Sequence, residues 1–272
     1  MTIKEIETAL RESAELRDSI LHETYASTVA LLAVTDHEQV GSLQLAGSGT
    51  LVQVGDSLYV LTAAHVWEEV LKSASKIGIT LPEDLNHRFL MDIDTIVPVG
   101  APKLPKWTEW GPDIIFLRIP PECVGAIKPF RVFYNLSFKG PFQQQKIALK
   151  IPHLETWIII GAPHALGKFP TPHYADIQIN AFFCSAPVSH SKNGFDFLDF
   201  KADTSLPDVP KSFGGVSGGG LWKILVFESP STGKIDSTAT LEGVAFFQSI
   251  IDDSHCVIRC HGPETIAATA PK

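Results

Sequence analysis

Five glycines surround one serine in Gly214-Gly215-Val216-Ser217-Gly218-Gly219-Gly220, and this is where the chain is best suited to covalent chemistry. Glycine lets backbone approach a substrate closely and take positive φ. Successive N–H groups in such a loop can converge on one concavity. Acyl transfer by a serine hydroxyl needs a base to take its proton, a carboxylate to orient that base, and N–H donors for the developing oxyanion. Ser217 is the candidate nucleophile, and the backbone N–H groups of Gly215 and Ser217 are the candidate oxyanion donors. His65, in Leu61-Thr62-Ala63-Ala64-His65-Val66, is the candidate base. It follows an apolar strand and opens a turn, and the small Ala63-Ala64 pair permits close packing behind the imidazole. Asp113, in Gly111-Pro112-Asp113-Ile114-Ile115-Phe116-Leu117-Arg118, is the candidate carboxylate. A charge at the head of a buried apolar strand costs free energy unless it is paired. Taken singly, each segment also reads as plain structure: a loop, a packed histidine, a strand-start turn.

The elements that must position these residues are mostly short strands. Runs at Thr28–Val34, Leu43–Ala46, Gly49–Val54, Ser57–Thr62, Phe89–Val97 and Asp113–Ile119 precede Pro120-Pro121. Gly55-Asp56 reads as a hairpin turn, and Ala63–Ser73 as one or two helical turns carrying Trp67 and Val70. A second set covers Lys146–Ile151, Trp157–Ile160, Ala175–Val188, Phe195–Phe200, Leu221–Phe227, Leu241–Ile250 and His255–Cys260, with a short helix over Gly262–Ala268. Evenly spaced short strands in two halves predict an all-β pair of antiparallel barrels. The expected organisation is an N-terminal helix over 1–22, a first lobe over 23–122, a connection over 123–145 and a second lobe with its C-terminal helix over 146–272. Thr2 and Glu5 form a capping box, and Ile3, Ile6, Leu10, Ser13, Leu16 and Ile20 make one stripe on that first helix. The stripe either packs on the body or holds a protein partner.

The chain has 272 residues, 44% hydrophobic and 19% charged, with net charge −8. Such a balance suits a globular protein, and an acidic surface opposes nucleic-acid binding. No apolar run is long enough for a membrane span. The Glu- and Arg-rich N-terminus lacks the apolar core of a signal peptide, and four cysteines without a Cys-x-x-Cys pair do not make a disulfide scaffold. Together these predict a cytoplasmic protein.

The motifs Thr-Ala-Ala-His, Asp-Ile-x-Phe-Leu-Arg and Gly-x-Ser-Gly-Gly, in that order, resemble those of the chymotrypsin/trypsin-like serine peptidases. Gly47-Ser48-Gly49-Thr50 and Gly243-Val244-Ala245-Phe246-Phe247 add to the likeness, which runs from Ser27 to Ala268. Ile160-Gly161-Ala162-Pro163, and Val66 in place of a cysteine after the histidine, are similar to the compact bacterial members. The resemblance implies a fold of two six-stranded antiparallel β-barrels, a His65–Asp113–Ser217 triad, a protein or peptide substrate and no cofactor. It also implies that Lys211, six residues before Ser217, lies at the base of the pocket for the side chain preceding the scissile bond, unless Pro207 and Pro210 reroute the loop and leave it solvated. Phe247 would then be an apolar wall, and Gln248, where many members have glycine, would narrow the pocket. Two departures stand out. Val216 replaces the aspartate that secreted members pair with a new N-terminus. Phe246 replaces a serine that bonds the triad aspartate, so Asp113 is expected to rely on backbone N–H groups near His65.

Three other readings compete. Gly215-Val216-Ser217-Gly218-Gly219 also fits the nucleophile elbow of α/β-hydrolases, with Asp252 or Asp253 and His261 as partners, but three glycines after the serine disfavour the helix that elbow needs. His255, Cys256, Cys260 and His261 make a His/Cys cluster of zinc-binding type, although Cys256, Ile258 and Cys260 alternate on one strand face as packed apolar groups do; no metal site is assigned. The fold can also serve as a catalytically silent sensor or binding module. Trp107, Trp110 and Trp157 read as packing residues.

Overall fold

The computed structural model describes residues 1–35, 42–80, 88–100, 110–137, 150–171, 174–184 and 186–272. The one N-terminal helix expected from the apolar stripe is two, α1 (Ile3–Glu12) and α2 (Ala14–Ala26). Thr2 and Glu5 cap α1 reciprocally. Ser13, counted in the stripe, instead takes extended dihedrals, and its hydroxyl accepts the Leu16 N–H at 3.1 Å. A serine oxygen that satisfies an orphan N–H starts a new helix there. Ile6 and Ile20 are buried against the body, and the Met1 ammonium pairs with Glu228.

The rest is all-β, in two mainly antiparallel sheets. The first holds β1 (Thr28–Thr35), β2 (Ser42–Val54), β3 (Ser57–Thr62), β4 (Lys76–Thr80), β5 (Arg88–Asp92), β6 (Val97–Val99) and β7 (Ile115–Arg118). Helix α3 (Pro121–Ile127) follows, and β8 (Tyr134–Asn135) joins β2 in parallel. The strand order is β5-β4-β1-β2-β3-β7-β6. After β9 (His153–Gly161) come β10 (Lys168–Thr171) and β11 (Tyr174–Asp176), a separate hairpin. The second sheet adds β12 (Asn180–Cys184), β13 (Val188–Lys192), β14 (Phe195–Asp203), β15 (Gly220–Glu228), β16 (Ile235–Asp252) and β17 (His255–His261), in the order β12-β9-β15-β16-β17-β14-β13. Helix α4 (Pro263–Thr269) ends the chain.

Among the described residues these sheets have eight and seven strands, not six each. In the first sheet the two additional strands are β4 and the two-residue β8, which no strand-length run announced, while one division and one merger of runs cancel. Phe89–Val97 splits into β5, a 3-10 turn and β6, and the Thr95 hydroxyl holds the turn by donating to the Asp92 carbonyl at 2.7 Å. Conversely, Leu43–Ala46 and Gly49–Val54 are one continuous strand, β2. The expected strand over Lys146–Ile151 and residue Trp107 fall largely or wholly outside the described residues.

Three apolar layers hold the sheets. Val29, Leu31, Leu51, Val60, Ile77 and Leu117 fill the first, and Ile159, Phe200, Leu221, Ala245, Cys256 and Ile258 fill the second. Between them, Leu61 and Phe116 of the first sheet meet Ile158, Ile160 and Trp222 of the second. Burying each such side chain contributes about 1.5–3 kcal/mol, so this middle layer fixes one sheet against the other. The candidate site lies where they meet.

Candidate functional site

His65 stands just past β3. Ala63 and Ala64 behind it are fully buried, as their small size predicts, and a π-helical turn, Val66–Val70, carries the chain away. Asp113 sits at the head of β7 with its side chain 3% exposed. Both of its oxygens serve His65: Oδ1 accepts the His65 backbone N–H at 2.9 Å, and Oδ2 bonds Nδ1 of the ring at 2.6 Å. The expectation that backbone N–H groups near His65 would support Asp113 matches this geometry. A carboxylate only accepts hydrogen bonds, so Nδ1 is the ring nitrogen that donates to Asp113.

Ser217 lies on the loop between β14 and β15. Two tight turns shape the loop, with Val216 N–H on the Phe213 carbonyl at 2.9 Å and Gly219 N–H on the Val216 carbonyl at 2.7 Å. Ser48 of β2 fastens it to the first sheet. The Ser48 N–H donates to the Ser217 carbonyl at 2.8 Å, its hydroxyl donates to the Gly215 carbonyl at 2.7 Å, and the same oxygen accepts the Ala162 N–H at 2.8 Å. Gly47 must be glycine: a Cβ there would lie 2.8 Å from a Val66 methyl and 2.9 Å from the Ser217 carbonyl oxygen. The residue after His65 and the backbone of Ser217 therefore press on the same point of β2. Among the described residues no hydrogen bond joins Ser217 Oγ to His65, a contact that often tightens only when substrate is bound.

The N–H groups of the loop divide in an informative way. Those of Val216, Gly218 and Gly219 are spent on Phe213, Ala245 and Val216 carbonyls. Among the described residues the N–H groups of Gly215 and Ser217 have no partner.

Sequence reasoning missed His261. By sequence it groups with the cysteines or serves as an α/β-hydrolase base, yet it ends β17 fully buried, and its Nε2 accepts the Asp113 backbone N–H at 2.9 Å. The ring stacks on Phe246, centroids 4.2 Å apart and 17° between planes. Phe246 thus supports the aspartate indirectly, by a ring face. The only trace in the sequence is a polar residue ending an apolar run, and strand pairing (Val244 opposite His261) decides where it points.

Burial pushes the His261 pKa down from 6.5 to about 4, against the opposing charges of Asp113 and Asp196. The unfolded chain therefore takes up this proton first. The stability that neutral His261 contributes is complete above pH 6.5 and is lost as pH falls towards 4. The whole effect is about 3 kcal/mol, of which about 2 kcal/mol is lost by pH 5. Urea unfolding at pH 7 and pH 5 is expected to show this loss, and His261→Gln to flatten it. An equal slope in both proteins would place the linkage elsewhere.

The remaining candidates separate. Lys211 is exposed, as rerouting by the neighbouring prolines predicts, and does not form a buried pocket base. Phe247 is half-buried against the first core. Gln248 bonds the backbone of Phe213 and Lys211. Cys256 and Cys260 are core residues, and His255 pairs with Asp252 at the surface. Among the described residues no group of three or more His, Cys, Asp or Glu is arranged to hold a metal, and no helix is long and apolar enough to cross a membrane.

No family model and no curated protein matches the chain. Among solved structures, it is similar to a serine endoprotease from Yersinia pestis, at 15% identity and a TM-score of 0.44. The match covers 92% of this chain and 63% of that one, so the chain spans under two thirds of its neighbour's length.

Proposed function

We propose that the chain is a serine-type endopeptidase working through His65, Asp113 and Ser217. The observation that carries this reading is the two-point grip of the buried Asp113 carboxylate on His65, because it readies the ring to take a proton at Nε2. Ser217 Oγ gives up its proton to Nε2 as it attacks the scissile carbonyl. The unpartnered N–H groups of Gly215 and Ser217 receive the oxyanion. Protonated His65, stabilised by Asp113, returns the proton to the leaving amine, and water then repeats the sequence on the acyl-enzyme. These steps draw only on side chains, backbone and water.

A small alkyl fluorophosphonate tests the reading. Wild type is expected to be labelled at Ser217, and Ser217→Ala and His65→Ala to lose labelling. A folded wild type that takes no label would overturn it and leave a binding module with an idle triad.

A further inference from the structure

We infer that Gln248 closes the space for the substrate side chain next to the scissile bond, so that the protein cleaves after small residues such as glycine, alanine and serine. This inference rests on the proposed hydrolase reading. Two segments run side by side away from Ser217. One is the chain leading up to the nucleophile, Lys211–Ser217; the other is Ala245–Gln248 of β16. Near Ser217 they are joined, with Gly218 N–H on the Ala245 carbonyl at 2.7 Å and Ala245 N–H on the Gly219 carbonyl at 2.9 Å. Further along, Phe213 lies opposite Gln248. A substrate whose carbonyl oxygen sits between Gly215 and Ser217 N–H must place its adjacent side chain beside this loop. The other flank is occupied, since a Cβ on Gly215 would lie 2.4 Å from the Ala162 carbonyl and 2.7 Å from the His164 ring. The gap between the two segments is what remains.

The Gln248 carboxamide spans that gap. Its Oε1 accepts the Phe213 N–H at 2.9 Å, and its Nε2 reaches the Lys211 carbonyl at 3.5 Å. An amide that accepts the Phe213 N–H does not swing aside as a solvated side chain does, because leaving would strand that N–H. A cavity of about 400 Å³ lined by Lys211, Cys256, Ile250, Asp252 and Asp253 starts at that same lysine. Gln248 bonds one of those residues, Lys211, and removing its side chain leaves the gap beside Ser217 without that bridge.

The test uses peptidyl diphenyl phosphonates that differ only in the side chain next to phosphorus, methyl or benzyl, with the small fluorophosphonate as the reference for each protein. Wild type is expected to react at least about tenfold faster with the methyl probe, a discrimination within the reach of a filled pocket. Gln248→Gly and Gln248→Ala should erase or invert that ratio, and Gln248→Glu, which keeps the length, should retain a preference for methyl. Faster reaction of wild type with the benzyl probe, or an unchanged ratio in both shortened variants, overturns the inference while fluorophosphonate labelling keeps the hydrolase reading intact. Absence of fluorophosphonate labelling in wild type overturns both.

Discussion

Asp113→Asn is expected to lower kcat by about 10⁴-fold, the effect established for losing the carboxylate of such a triad, while KM and fold change little. Asparagine matches aspartate in shape, so its oxygen can still accept the His65 backbone N–H now held at 2.9 Å. That leaves its NH₂ facing Nδ1 in place of the oxygen at 2.6 Å. Two donors cannot bond each other, so Nδ1 gives up its proton and Nε2 carries it. An Nε2–H imidazole cannot accept the Ser217 proton. The bond from the Asp113 backbone N–H to His261 does not involve the side chain and survives. Steady-state kinetics and fluorophosphonate labelling rates should fall together, with urea unfolding near wild type. Equal kcat in both proteins would mean that the buried carboxylate does not set the tautomer, and the proposed chemistry would lose its base.

Much of this arrangement is legible in the sequence, for identifiable reasons. Asp113 precedes a run of apolar residues, and a carboxylate there has to find a donor; the donor is His65. The Gly-rich loop and the small Ala63-Ala64 pair are local signals, and the all-β class follows from strand-length runs. What could not be read depends on pairing between distant segments. Sequence does not say that β17 brings His261 beneath Asp113, since a one-residue change of register would turn that ring to the other face. Nor does it say that Gln248 lies across from Phe213. The break at Ser13 escapes notice because a serine reads equally as a stripe position and as a cap. A side-chain-to-backbone bond such as Thr95 to Asp92 cuts a run that looks continuous, and the strand count fails on β4 and on β8, whose two residues are too few to make a readable run.

Gly218→Ala probes the joint between the sheets, and its expected result is a loss of both stability and reaction at Ser217. Gly218 has φ +90°, and a Cβ there would lie 2.0 Å from the Ser48 carbonyl oxygen and 2.1 Å from Thr62 Oγ1. Those two atoms are themselves bonded, with the Thr62 hydroxyl donating to the Ser48 carbonyl at 2.7 Å. Neither can retreat easily, because Ser48 also holds the carbonyls of Gly215 and Ser217 and Thr62 leads directly to His65. The backbone conformation alone costs an L-residue about 1–3 kcal/mol, before any overlap is relieved. Relief must move β2 or the nucleophile loop, and a misplacement of about 1 Å at a reacting pair can cost about 100-fold in rate. Urea unfolding and fluorophosphonate labelling under folding conditions separate the two effects. A destabilised but folded variant that still labels at the wild-type rate would show that Ser217 keeps its place without this joint, and that the link through Ser48 serves the fold alone.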